Sequence, residues 1–126
     1  MDPRNFEGPS GVEPMMIHAL LLAALLAPQA GAVREIRDVV YCGEEDCAEP
    51  KHRMDLYVPG RADKPPVLLW IHGGGWKSGD RKHYAWMGRK FASEGILFAA
   101  ASYRLSPRVK HPAHIEDCAA AFAWLH

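Results

Sequence analysis

Residues 66–76 read PVLLWIHGGGW: a short, uninterrupted apolar run that ends in His72, three glycines and Trp76. An apolar run without alternation marks a strand covered on both faces, as in parallel α/β sheets. The glycines that follow lack a Cβ, so backbone N–H groups can turn toward a ligand without steric cost. Three chemistries use such a turn, and spacing separates them. A phosphate-binding loop needs glycine before its Lys-Ser pair, whereas Lys77-Ser78 follows Trp76. A dinucleotide fingerprint needs a sixth-position glycine and a helix that starts in the turn. Ser78 stands at that position, and Ser78-Gly79-Asp80 prolongs the loop. The third chemistry is donor placement for the charge that develops on a carbonyl oxygen in acyl transfer. Against it stands a glycine turn with no role; the strand before the turn and the flanking His72 and Trp76 favour the functional reading.

Working outward, ILFAAA at 96–101 is a second apolar strand. Between the two runs, Tyr84, Met87, Gly88 and Phe91 recur at helical spacing, and Gly95 closes the helix. After the second run, Pro112 can start another helix, with Ile115, Cys118, Ala119, Phe122 and Leu125 as its apolar face. Upstream, REIRDVVY at 34–41 reads as a strand, CGEEDCAEP as an acidic turn, and HRMDLYV at 52–58 as its partner. Met54, Leu56 and Val58 then share one face, giving a hairpin with one solvated side. Residues 59–65 are loop by their Gly and Pro content. The expected fold is α/β: a hairpin, then two parallel strands with helices on both sides of the sheet.

Residues 17–27 (IHALLLAALLA) form an apolar run followed by Ala30-Gly31-Ala32. Eleven helical residues rise about 16 Å, too short for a stable membrane span but long enough for a signal-peptide core. Residues 1–32 are therefore read as a leader and 33–126 as the folded portion, which implies a secreted or periplasmic protein. The acidic first fourteen residues suit a signal poorly, and Met15 or Met16 offers an alternative start; a buried cytosolic helix is the competing reading. The 15 basic and 15 acidic residues cancel, so the chain carries no electrostatic footprint for nucleic acid. Cys42 and Cys47 flank GEED and suit a local disulfide in an exported protein. With His52 they also suggest zinc ligands, but no fourth ligand completes a frame. His111 and His114 are split by Pro112, which argues against a metal pair. No metal or cofactor is implied. Cys118 reads as a small buried residue.

IHGGGWKSGD, followed by SYRLSP and then HPAHIEDCAAAFAWL, resembles the α/β-hydrolase superfamily. The similarity is to its esterase branch, which includes hormone-sensitive lipase, arylacetamide deacetylases and acetylxylan or feruloyl esterases. It covers about residues 36–126 and rests on three motifs in family order. The resemblance implies that Gly74 and Gly75 are oxyanion donors, that Gly73 shapes the approach, and that His72 orients the loop from behind. It implies that Trp76 walls a pocket for a small ester substrate, with core packing as the equal alternative. Tyr103, Arg104 and Pro107 match the segment leaving the fourth strand, and Arg104 and Asp117 are expected to be structural. The family mechanism needs Ser on a Gly-x-Ser-x-Gly turn, then an acid, then His. Ser10, Ser78, Ser93, Ser102 and Ser106 all lack that frame. The expectation is an incomplete, N-terminal part of the hydrolase sheet, with no nucleophile, acid or base. Residues 66–71 would then form an apolar sheet edge. The alternative is a catalytically inactive product, unstable or bound to a partner through that edge.

Overall fold

A computed structural model describes residues 31–43, 50–61 and 63–126. Nearly all of the expected leader, and Cys47 with it, lies outside the described residues. Four strands build one mixed sheet: β1 (Arg34–Val40), β2 (Arg53–Val58), β3 (Val67–Ile71) and β4 (Leu97–Ala101), in the order β1-β2-β4-β3. β1 and β2 are the expected hairpin, with a bulge between Ile36 and Val39 where Asp38 takes a φ of 57°. β2 runs antiparallel to β4, whereas β3 runs parallel to β4 with Leu69 opposite Ala99. The parallel pair needs a crossover, and helix α1 (Ala85–Ser93) supplies it. A 3-10 turn over Arg81–Tyr84 leads into α1, and the Asp80 carboxylate caps that turn by accepting from Lys82 N–H at 3.0 Å.

Period-two alternation divides the apolar residues between two faces. Met54, Leu56, Ala99 and Ala101 join Tyr41 on one face, where Ala121 of helix α2 (Ala113–Leu125) packs. Tyr57, Phe98 and Ala100 join Leu68 and Trp70 on the other, under Met87, Phe91 and Ala92 of α1. The two helices therefore cover opposite faces, as the strand–helix order requires.

Two expectations are corrected. First, β2 has no solvated side: Asp55 and Tyr57 are as buried as Met54. Helix α1 lies over them, with the Cβ-less Gly88 seated directly against the Tyr57 ring. Asp55 tolerates burial because Arg81 donates to it from Nε at 3.0 Å, and Arg81 also reaches Ser102 Oγ and the Asp38 carboxylate. Second, α2 does not bury the stripe read as its apolar face. Ile115 is 48% and Phe122 62% exposed, Ala119 is exposed, and Cys118 and Leu125 are half-buried. The buried side carries His114, Asp117 and Ala121. Hydrogen bonds to Asp117 fix the helix rotation, and periodicity alone does not say which stripe faces the sheet. β3 is an edge among the described strands, with Val67 half-exposed. Val67, Leu69, Phe122, Leu125 and His126 line a shallow groove of about 210 Å³ beside it. Among the described residues no helix is long and apolar enough to cross a membrane.

Candidate functional site

The parallel pairing of β3 and β4 sets the residues that leave their C-terminal ends side by side. His72 leaves β3 and Tyr103 follows β4; their rings stack at 4.3 Å and 19°. The Tyr103 hydroxyl donates to the His72 carbonyl at 2.7 Å. The His72 ring is buried and donates from Nδ1 to the Gly73 carbonyl at 2.9 Å. A carbonyl only accepts, so the hydrogen of the neutral ring sits on Nδ1. Its Nε2 is buried without a hydrogen-bond partner among the described residues. A proton there would be a buried donor with no acceptor. Burial holds the His72 pKa below the ordinary imidazole value; the bond to Gly73 opposes the shift and the Lys51 charge reinforces it.

Beyond His72 the chain turns through left-handed backbone at Gly74 (φ 127°), Gly75 (φ 60°) and Trp76 (φ 63°). The Gly74 carbonyl accepts from Lys77 N–H at 3.1 Å, Ser78 N–H at 3.2 Å and Ser78 Oγ at 3.3 Å. Any Cβ at Gly74 would strike the Ser78 carbonyl, whereas Gly73 and Gly75 face open space. Neither the Gly74 nor the Gly75 N–H has an acceptor among the described residues. Trp76 holds a conformation that costs a non-glycine residue about 1 kcal/mol. Compensation comes from its contacts: the indole stands edge-on to Tyr103 at 5.1 Å and leans on His114 at 5.4 Å. Its carbonyl accepts from Ser106 N–H at 2.8 Å, and Ser106 Oγ pairs with the His114 ring at 3.1 Å. Two adjacent N–H groups with no internal acceptor can receive an oxygen that carries negative charge.

Arg104 and Asp117 are brought together, with His52 beside them. Asp117 accepts from Arg104 N–H at 2.8 Å, Arg104 Nη2 at 2.6 Å and His52 Nε2 at 3.0 Å. Burial alone would raise the Asp117 pKa; hydrogen bonds from the Arg104 side chain and backbone and from His52 outweigh it and hold it below the ordinary value. This carboxylate ties three segments: the entry to β2, the exit from β4 and helix α2. It makes no described hydrogen bond to the glycine loop. His52, weighed above as a zinc ligand, is engaged with Asp117, and the proposed partner Cys47 is not among the described residues. Among the described residues no three His, Cys, Asp or Glu side chains are grouped to hold a metal. Burial pushes the Cys118 thiol pKa up. The pairs His52–Asp117 and His114–Ser106 leave no signal in the sequence, since each joins segments that only the fold brings close.

A family model described as BD-FAE matches residues 54–126. Tuliposide A-converting enzyme b1 of Tulipa gesneriana is 35% identical over 77 residues, covering 56% of this chain and 21% of that protein. A protein of Oryza sativa subsp. japonica named "probable isoprenylcysteine alpha-carbonyl methylesterase" is 37% identical over 90 residues, covering 71% of this chain and 20% of its own. Among solved structures, esterase B of Lactobacillus rhamnosis, inhibited by a tributyrin phosphonate, aligns with a TM-score of 0.66 at 29% identity. The alignment covers 88% of this chain and 36% of that one. The chain spans about a fifth of the length of the curated relatives and about a third of the solved one.

Proposed function

Because the chain belongs to the BD-FAE family of α/β-hydrolase esterases, we propose that it forms part of an enzyme that hydrolyses small carboxylic esters through a serine acyl-enzyme. Residues 33–126 are the part that holds the oxyanion, with Gly74 and Gly75 as donors and Trp76 as a pocket wall. One observation carries this reading: two neighbouring glycine N–H groups without acceptors among the described residues, at the end of a strand in a parallel pair. The nucleophile, acid and base come from sequence outside residues 1–126, since none of the five serines has a Gly-x-Ser-x-Gly frame. No cofactor enters the mechanism. The apolar run at 17–27 supports export, with residues 1–32 removed as a leader. The exposed apolar edge at β3 favours a second reading, in which residues 1–126 act as an inactive product that binds a partner there.

The test is p-nitrophenyl acetate hydrolysis by residues 1–126 and by the same chain extended with its following coding sequence. The expected result is no turnover above a heat-treated control from the short chain, and turnover from the extended one once it includes Gly-x-Ser-x-Gly. An extended chain without turnover, or a stop codon directly after His126, overturns the enzyme reading and favours the second.

A further inference from the structure

Gly79 prolongs the loop beyond Lys77-Ser78, and it is packed closely on both the ring and the carbonyl of the residues that open the turn. Its φ is 109°, outside what side chains ordinarily adopt. A Cβ there would overlap the His72 ring at Nδ1 and Cε1 and lie 2.5 Å from the Gly73 carbonyl oxygen. These are the two ends of the bond that His72 donates to Gly73. Gly79 thus lies directly against the hydrogen bond that sets the tilt of the Gly73 peptide. Gly73, by contrast, has open space where a Cβ would go and no positive φ. The glycine at the start of the HGGGW run is the less constrained of the two.

We infer that Gly79 is a positioning residue of the glycine loop: it lets the His72 ring close onto the main chain, which orients the Gly73–Gly74 peptide and so aims the Gly74 N–H beside that of Gly75, whose own peptide is held by Lys77 and Ser78. The inference rests on the proposed oxyanion role for what those groups are aimed at, but not for the packing itself. The contacts invoked here lie within residues 72–79, and the loop's supports at Tyr103, Ser106 and His114 lie within residues 1–126, so the arrangement can be read in this chain. Glycine is required by the ring and the backbone together. Alanine at 79 would swing the ring off the Gly73 carbonyl and turn the donors away from each other.

The test is NMR on the isotope-labelled chain of residues 1–126. A strong cross-peak between the Gly79 Hα protons and His72 Hε1 is expected in the unaltered chain, with the His72 ring protonated at Nδ1. Gly79→Ala should shift both His72 ring nitrogens together with the Gly74 amide, while Gly73→Ala leaves the His72 ring signals in place. Absence of the Gly79–His72 cross-peak overturns the inference, including the case in which the isolated chain does not form the loop. So does a folded Gly79→Ala chain with unmoved His72 and Gly74 signals. The cross-peak needs no variant, so a Gly79→Ala chain that fails to fold leaves a decisive reading in hand. No ester enters the measurement, so a failed hydrolysis assay would count against the proposed function alone.

Discussion

The two helices sit on opposite faces of one sheet and reach their positions by opposite means. Helix α1 turns its apolar stripe inward: Phe91 stacks on Phe98 at 5.5 Å and 12°, and Met87 and Ala92 pack beside it. Helix α2 has an apolar stripe too, yet Ile115 and Phe122 point to solvent while His114 and Asp117 are buried. Apolar burial sets the rotation of α1, a hydrogen-bonded carboxylate that of α2. A face closed by apolar contact should tolerate loss of a polar group and suffer from a change of volume. A face closed by Asp117 should behave the other way.

Asp117→Ala is therefore the largest expected effect. It removes the acceptor of the Arg104 backbone N–H, the Arg104 guanidinium and the buried His52 ring at once. Breaking a buried pair from one side costs about 3–5 kcal/mol. Urea melts followed by circular dichroism should show α2 and the β2 entry lost together. A loss under about 1 kcal/mol would mean that apolar contact holds α2 after all.

Gly88→Ala probes the other face, and its sign is informative. Alanine inside a helix is normally better than glycine by about 1 kcal/mol. Here a Cβ would run into the Tyr57 ring, which is fully buried with no room to retreat. Overpacking costs about 1–3 kcal/mol. The melt should therefore show net destabilisation; a gain would show that α1 floats above β2 rather than resting on it.

Acid should dismantle the molecule in two steps, because two buried groups have folded pKa values below their ordinary ones. For both, the folded state resists protonation, so stability is complete above the ordinary value and falls as the pH drops through the lowered one. His72 makes the first step, below its ordinary 6.5. Asp117 makes the second, below 3.8, and Asp80, also lowered, adds to it. Melts at successive pH values in the His72→Ala chain should lose the upper step and keep the lower. A single step below pH 4 in the unaltered chain would remove His72 as a buried neutral ring.

The order of elements was legible because it depends on local signals. Two unbroken apolar runs became β3 and β4, Gly95 ends α1 with a φ of 87°, and Pro112 precedes α2. The HGGGW turn was legible for the same reason: its glycines are consecutive and follow a strand. Rotation of α2 and burial of β2 were not, because each depends on partners distant in sequence. Asp117 finds His52 65 residues away, and Arg81 finds Asp55 26 residues away. A charged residue at an alternating position reads as solvent-facing unless its counter-charge is known. The demand at Gly79 was hidden as well, because its cause is a ring seven positions upstream that folds back over it.

Phe122→Ser should have the smallest effect, and it tests the comparison from its weak side. The ring is 62% exposed and borders the shallow groove beside β3. Replacing an exposed side chain that makes few contacts shifts stability by about 0.5 kcal/mol or less. Phe91→Ala, at a ring stacked on Phe98, should cost more than about 1 kcal/mol. An apolar edge strand beside an exposed aromatic ring is also a site for pairing between chains. Sedimentation should accordingly show less self-association for Phe122→Ser than for the unaltered chain, at unchanged melting behaviour. If Phe122→Ser instead costs as much as Phe91→Ala, the outer stripe of α2 is covered in solution, and the contrast between the two helices is one of partners rather than of helix design.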